Sequence, residues 1–208
     1  MRLALRLARA ERAAIAAEFA LVLPVLLFFL FGVVDVGRFM WDLNQAEKAT
    51  QIGARMAAVT DPVSSGLIAA NFASTDLKPG ELIPADAMAP VTCTQEECSC
   101  PEDTGGPPCP LAEDGGGVDS AAFNKLVSRM QEIKPDLTAD NIRVTYSGSG
   151  FGFAGSADTE VMEVSPLITV SLEGVTFSPT TALLLANFRL PVTSTTVVAE
   201  DVSGGFSN

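Results

Sequence analysis

The sequence predicts an α+β protein. A long N-terminal membrane-spanning helix continues as a stalk, and a small soluble domain follows with a mostly antiparallel sheet and a disulfide-stapled loop. Three observations carry this. An uncharged run from Phe19 to Val34 follows a cluster of arginines. All four cysteines fall between Cys93 and Cys109, within a stretch rich in Pro and Gly. Beyond them come one segment with helical apolar spacing and several that alternate apolar and polar residues.

The composition narrows the function classes. The chain has 208 residues, 48% of them hydrophobic, and a formal net charge of −12. That length suits one modest domain with an added element, and a mean hydropathy of +0.31 is too apolar for a disordered chain. There is no histidine, which removes Ser-His-Asp and Cys-His nucleophiles, His-ligated metals and the HExxH pattern together. A sequence pI near 4.3 argues against a nucleic-acid partner, because neutralising phosphates needs clustered Lys and Arg.

The first element is the apolar helix. Arg2, Arg6, Arg9 and Arg12 stand against a single acid, Glu11, in a basic leader of residues 1–13. From Ala13 to Val34 only Glu18 interrupts the apolar run, and about 20 residues span a bilayer. The basic head places the N-terminus in the cytoplasm and the remainder outside. A cleaved secretory signal fits poorly, since Gly32 followed by Asp35 and Arg38 is not a small-x-small exit. Glu18 has two readings. It snorkels at the headgroups, or it is a functional carboxylate that requires a partner. Pro24 lacks an N–H and loosens the helix at Ala20.

The second element, residues 14–60 taken with the span, is the stalk. Leu43, Ala46, Thr50, Gly53 and Ala57 follow helical steps and form a face of small residues. That face packs either against other helices of the same kind or against the chain's own domain. Asp61-Pro62 closes the helix, since a residue before Pro avoids the α region.

Residues 61–118 read as irregular apart from a short helix over Leu67 to Phe72. Cys93, Cys98, Cys100 and Cys109 have the spacing C-x4-C-x-C-x8-C, without the C-x2-C knuckle of a zinc site. Outside the cytoplasm two disulfides are the better reading. Their pairing stays open, with Cys98 to Cys100 the least favoured for strain. Glu96, Glu97, Glu102, Asp103, Glu113 and Asp114 flank them in no EF-hand order, which reads as a solvated acidic loop before a calcium site.

The remainder, residues 119–208, is the α+β part. Asp119 caps a helix over Ser120 to Ile133. Strands follow around Ile142 to Tyr146, around Ile168 to Leu172 continuing to Val175 and Phe177, and from Leu190 to Ala199. Thr180 to Phe188 is a candidate short helix. The glycine-rich Ser147 to Gly155 lacks the Lys-Ser/Thr of a phosphate loop and reads as a mobile hairpin tip.

Read as a string, Arg12-Ala13-Ala14-Ile15-Ala16-Ala17-Glu18-Phe19 resembles the processing site of type IV pilins. More closely, it resembles the TadE-like minor pilins of the tight-adherence pilus system. The resemblance continues through Ala20 to Leu26, Phe31 to Arg38, Asn44 and Gly53 to Val59. It implies a pilin-like stalk, cleavage between Ala13 and Ala14 by a prepilin peptidase, and Glu18 and Phe19 as fifth and sixth mature residues. Gly37, Asn44, Gly53, Ala54 and Ala57 then become helix-packing positions. Ala13 stands where the family usually has Gly.

The resemblance also implies a function: a structural minor pilin or pseudopilin for initiating or assembling a tight-adherence pilus, supporting surface adherence and biofilm. Its expected partners are the bacterial inner membrane, the prepilin peptidase, other pilins and the assembly platform. The C-terminal domain would be periplasmic, or extracellular in the fibre. No cofactor, metal or catalytic residue is expected. The alternative is an uncleaved, single-span binding or assembly protein with a periplasmic domain. An enzyme would need a carboxylate pair or a free cysteine, and nothing in the sequence marks either.

Overall fold

The computed structural model describes residues 2–68, 70–73, 77–101, 107, 109–111, 117–155, 162–180 and 188–199, with the backbone alone for residues 2–13. The fold is α+β, with a long apolar N-terminal helix followed by a small, mostly antiparallel domain. Two compact units are present: Met1–Asp42 with Thr176–Phe188, and Leu43–Val175 with Arg189–Asn208.

Helix α1 runs from Arg2–Ala57 with Pro24 inside it. It ends before Asp61-Pro62, where the sequence placed the stop. The Val59 N–H and the Thr60 hydroxyl both bond to the Met56 carbonyl, so local bonds close the last turn first. Helix α2 is shorter and earlier than expected, at Ser65–Ile68. The amide and hydroxyl of Ser65 both donate to the Gly117 carbonyl, which holds its first turn.

Helix α3, Ser120–Gln131, starts where Asp119 accepts hydrogen bonds from the amides of Ala121 and Ala122 at 2.8 and 3.0 Å. It stops two residues before the expected Ile133, because the amides of Ile133 and Lys134 both turn back to the Met130 carbonyl. Phe123, Leu126, Val127 and Met130 form its buried stripe.

Seven strands are present among the described residues: β1 (Val91–Cys93), β2 (Cys98–Ser99), β3 (Ile142–Ser147), β4 (Leu167–Leu172), β5 (Thr176–Phe177), β6 (Phe188–Arg189) and β7 (Thr193–Val198). The main sheet has the order β2-β1-β3-β4-β7, antiparallel throughout. A separate two-stranded sheet joins β5 and β6. Thus part of the stretch read as irregular, residues 91–99, supplies two strands of the main sheet. They are too short for a periodicity signal. The candidate helix over Thr180 to Phe188 falls mostly outside the described residues.

Register decides the core. Ile142 opposes Leu172, Val144 opposes Val170 and Tyr146 opposes Ile168, so all six side chains lie on one face and are buried. On the other face Ser99, Thr92, Thr145, Thr169 and Thr196 stand in one row across the five strands. Thr92 bonds Thr145 and Thr169 bonds Thr196 through their hydroxyls.

Tyr146 is the chain's one tyrosine and is fully buried. Its hydroxyl oxygen accepts the Val63 N–H at 2.8 Å, tying the segment after α1 to the sheet. Burial pushes its phenol far above the ordinary range, and the Val63 bond opposes this more weakly. Tyr146→Phe leaves a buried N–H unpaired and should cost about 1–3 kcal/mol in urea unfolding. The native protein should also lose stability above about pH 10, where the unfolded phenol ionises and the folded one does not. The folded pKa is raised, so this contribution is complete below the unfolded value and lost above it. The phenylalanine variant should lack that alkaline component.

Candidate functional site

The candidate site is the first half of α1. Ala13 and Ala14 lie within the continuous helix. Glu18 and Phe19 are exposed one turn further on, and Phe19 is 62% exposed. No charged residue follows Glu18 until Asp35. Over this length Leu21, Val22, Val25, Leu26, Phe29 and Val33 are all more than half exposed. In water such a surface would be strongly unfavourable, at about 25 cal/mol for each Å² of apolar area left uncovered. Lipid or neighbouring helices must cover it. The stretch within Ala14–Ala57 is long and apolar enough to cross a membrane.

At the far end of the apolar run the helix acquires a polar cluster. Asp35 is buried, with 4% of its surface exposed. Its Oδ1 accepts the Thr180 N–H at 2.9 Å and faces Arg38 Nη1 at 3.4 Å. Arg38 also donates to the Thr180 hydroxyl. The Arg38 guanidinium lies 5.6 Å from the centre of the Phe177 ring, and Phe39 meets Phe177 edge-on at 5.5 Å. Sequence reasoning picked out Asp35 and Arg38 as part of a string but had no signal for Thr180. The two segments are 145 residues apart.

The expected packing positions divide into two groups. Gly37 and Asn44 are exposed, and a methyl group added at Gly37 would meet nothing within 4 Å. Gly53, Ala54 and Ala57 are buried, together with Ala46 and Ala49. A methyl at Gly53 would come within 2.7 Å of the Met130 sulfur and 3.3 Å of Val170 Cγ1. The small-residue face near Gly53 therefore packs on the chain's own α3 and β4. Small side chains are needed there so that α1 can approach both.

The cysteines form two disulfides, Cys93–Cys98 and Cys100–Cys109. The first closes the β1–β2 hairpin, where the two residues are direct cross-strand partners. The second ties the following loop. Glu96 and Glu97 are exposed, whereas Glu102, Asp103, Glu113 and Asp114 lie outside the described residues. Among the described residues no cluster of three or more acids and cysteines is placed to hold a metal.

The glycine-rich segment differs from the expected mobile tip. Residues 151–154 are strapped from both sides. The Phe153 and Ser165 amides bond to the Glu163 and Phe151 carbonyls, and the Ile83 and Ala154 amides bond to the Gly152 and Glu81 carbonyls. The glycines are there because backbones approach closely: a Cβ at Gly148 would lie 2.0 Å from the Ala85 carbonyl oxygen. Phe151 and Phe153 remain 62% and 61% exposed.

A family model described as TadE-like protein matches residues 13–55. No curated protein and no solved structure shows significant similarity to the chain. The match coincides with the apolar helix and its continuation to the buried Gly53 and Ala54. It supports a pilin-like, structural role associated with a tight-adherence pilus and, with the apolar helix, anchoring in a membrane. Residues 13–55 of this chain are TadE-like.

Proposed function

We propose that the protein is a minor pilin or pseudopilin that helps to initiate or assemble a tight-adherence pilus, and so supports adherence and biofilm formation. The observation that carries this is Glu18, an exposed carboxylate near the start of the TadE-like segment and the one charged residue between Arg12 and Asp35. A prepilin peptidase cuts between Ala13 and Ala14 in this reading. The new amine at Ala14 then pairs with Glu18 of a neighbouring subunit, which removes the cost of two lone charges in lipid. The leader stays cytoplasmic, the helix holds the protein in the inner membrane, and the disulfide-bearing domain lies in the periplasm or on the fibre. Other pilins and the assembly platform are its partners. The role is structural, and no group in it acts as a catalyst.

Gly37 tests the packing between subunits, because its surroundings within the chain are open. Gly37→Leu should leave the thermal melting of the domain unchanged, since a helix gains rather than loses when Gly is replaced. The same substitution should reduce the yield of sheared pili several-fold by blocking close helix approach. Unchanged pilus yield would remove Gly37 from the interface. One residue favours the second reading, an uncleaved single-span assembly protein: Ala13 occupies the position where the family usually carries Gly.

A further inference from the structure

The cluster around Asp35 sits at a depth that its chemistry makes informative. An α-helix rises about 1.5 Å per residue, and the hydrocarbon core of a bilayer is about 30 Å thick. Counting from Glu18 at one boundary, the other boundary falls about 20 residues on, close to Arg38. A tilt of about 20° moves it only one residue further. Asp35 therefore lies just inside the hydrocarbon edge, and Trp41 lies at headgroup level.

A carboxylate at that depth needs partners. Arg38 supplies one from the same helix. Another is the amide of Thr180, which comes from the distant C-terminal part of the chain. Arg38 holds Thr180 a second time through its hydroxyl, and the Phe39–Phe177 contact fixes the strand that leads to it. A segment bonded to a group at the hydrocarbon edge must itself lie at that edge. Trp41, 67% exposed, and Met40, 51% exposed, continue the apolar surface on the same stretch of helix. Trp is the side chain best suited to the interface, since its apolar ring carries one polar N–H.

We infer that Phe177–Thr180, clamped to Asp35 and Arg38, forms with Trp41 a second contact with the lipid surface beside the spanning helix. The partner is the headgroup region of the leaflet on the C-terminal side. The inference rests on the reading that α1 crosses the membrane. The clamp then has a purpose: it satisfies Asp35 at the hydrocarbon edge and holds the start of the β5–β6 connection against the bilayer.

The test uses the full chain in vesicles of phosphatidylethanolamine and phosphatidylglycerol. Trp41 is the one tryptophan, so its emission reports a single position. Ser178→Cys, a near-isosteric change at an exposed site, takes a spin label, and Leu27→Cys provides a label at mid-span. The L27C label should be reached by oxygen and shielded from a water-soluble relaxant. The S178C label should show headgroup-level accessibility, and Trp41 should be quenched several-fold more by lipids brominated near the carbonyls than by those brominated near the chain ends. Asp35→Ala should move the S178C label into water while L27C stays in lipid. An S178C label fully exposed to the water-soluble relaxant in the unsubstituted background, with L27C still in lipid, overturns the surface contact alone. An L27C label in water overturns the spanning reading, and the surface contact with it.

Discussion

Glu18→Ala should leave the protein in the membrane fraction and remove it from assembled pili. The substitution makes the apolar run from Ala14 to Val34 continuous, so insertion becomes easier rather than harder. What it removes is the partner for the Ala14 amine of the next subunit. Breaking a buried ion pair from one side leaves an uncompensated charge and costs about 3 kcal/mol or more per contact. At about 1.4 kcal/mol per decade, each subunit contact weakens roughly 100-fold. Quantifying the protein in sheared pilus and membrane fractions reads this directly. Glu18→Asp and Glu18→Gln sharpen the result. Asp keeps the charge on a shorter arm and should retain part of the assembly, whereas Gln keeps the shape without the charge and should behave like Ala. Equal recovery of the Gln variant in pili would mean that the carboxylate's charge has no role.

The second large effect is on stability and concerns the glycine-rich segment. Gly152→Ala should destabilise the domain by about 3–5 kcal/mol, adding a strained backbone to a steric clash. Gly152 has φ +136°, a conformation that residues with a side chain rarely adopt, and its added Cβ would lie 2.3 Å from the Glu163 carbonyl oxygen. That carbonyl already accepts the Phe153 N–H, so moving it breaks the strap that joins residues 151–154 to residues 163–165. Urea unfolding of the membrane-free domain or of the detergent-solubilised chain gives the value. A loss under about 1 kcal/mol would show that the segment yields without resistance. Gly37 has open surroundings and Gly152 is hemmed in by backbone, so one is a candidate for contacts between subunits and the other serves the fold.

Much of the architecture was legible because its signals are local. The uncharged run from Phe19 to Val34, the cap at Asp119 and the alternation in β3 and β4 each depend on neighbours in sequence. The α+β class and the TadE-like segment followed from these and from one continuous string of residues. What was not legible depends on distant partners. Strands β1 and β2 are short and gain their place only by pairing with β3 and with each other. Cysteine spacing left three pairings open, and the hairpin register selected Cys93 with Cys98. The glycine-rich segment looked like a free loop because its straps come from residues 81–83 and 163–165. The small-residue face fitted two partners equally well. Near Gly53 the deciding fact is Met130, a residue on a different helix.

The candidate site divides in the same way. Glu18 and the apolar helix were visible from the order of residues along the chain. The buried state of Asp35 was not, since its cover comes from Thr180, far along the chain. A charged residue just past an apolar run reads as the end of a membrane span. Only the fold reveals that it is also an anchor point for a second segment.

In the proposed function this helix is a processed pilin element. Intact mass and N-terminal sequencing of the membrane-extracted protein, with and without its prepilin peptidase, test it most directly. A processed pilin element gives a mature chain beginning at Ala14 only when the peptidase is present. A chain that keeps residues 1–13 in both strains would contradict it and leave a permanently anchored assembly protein.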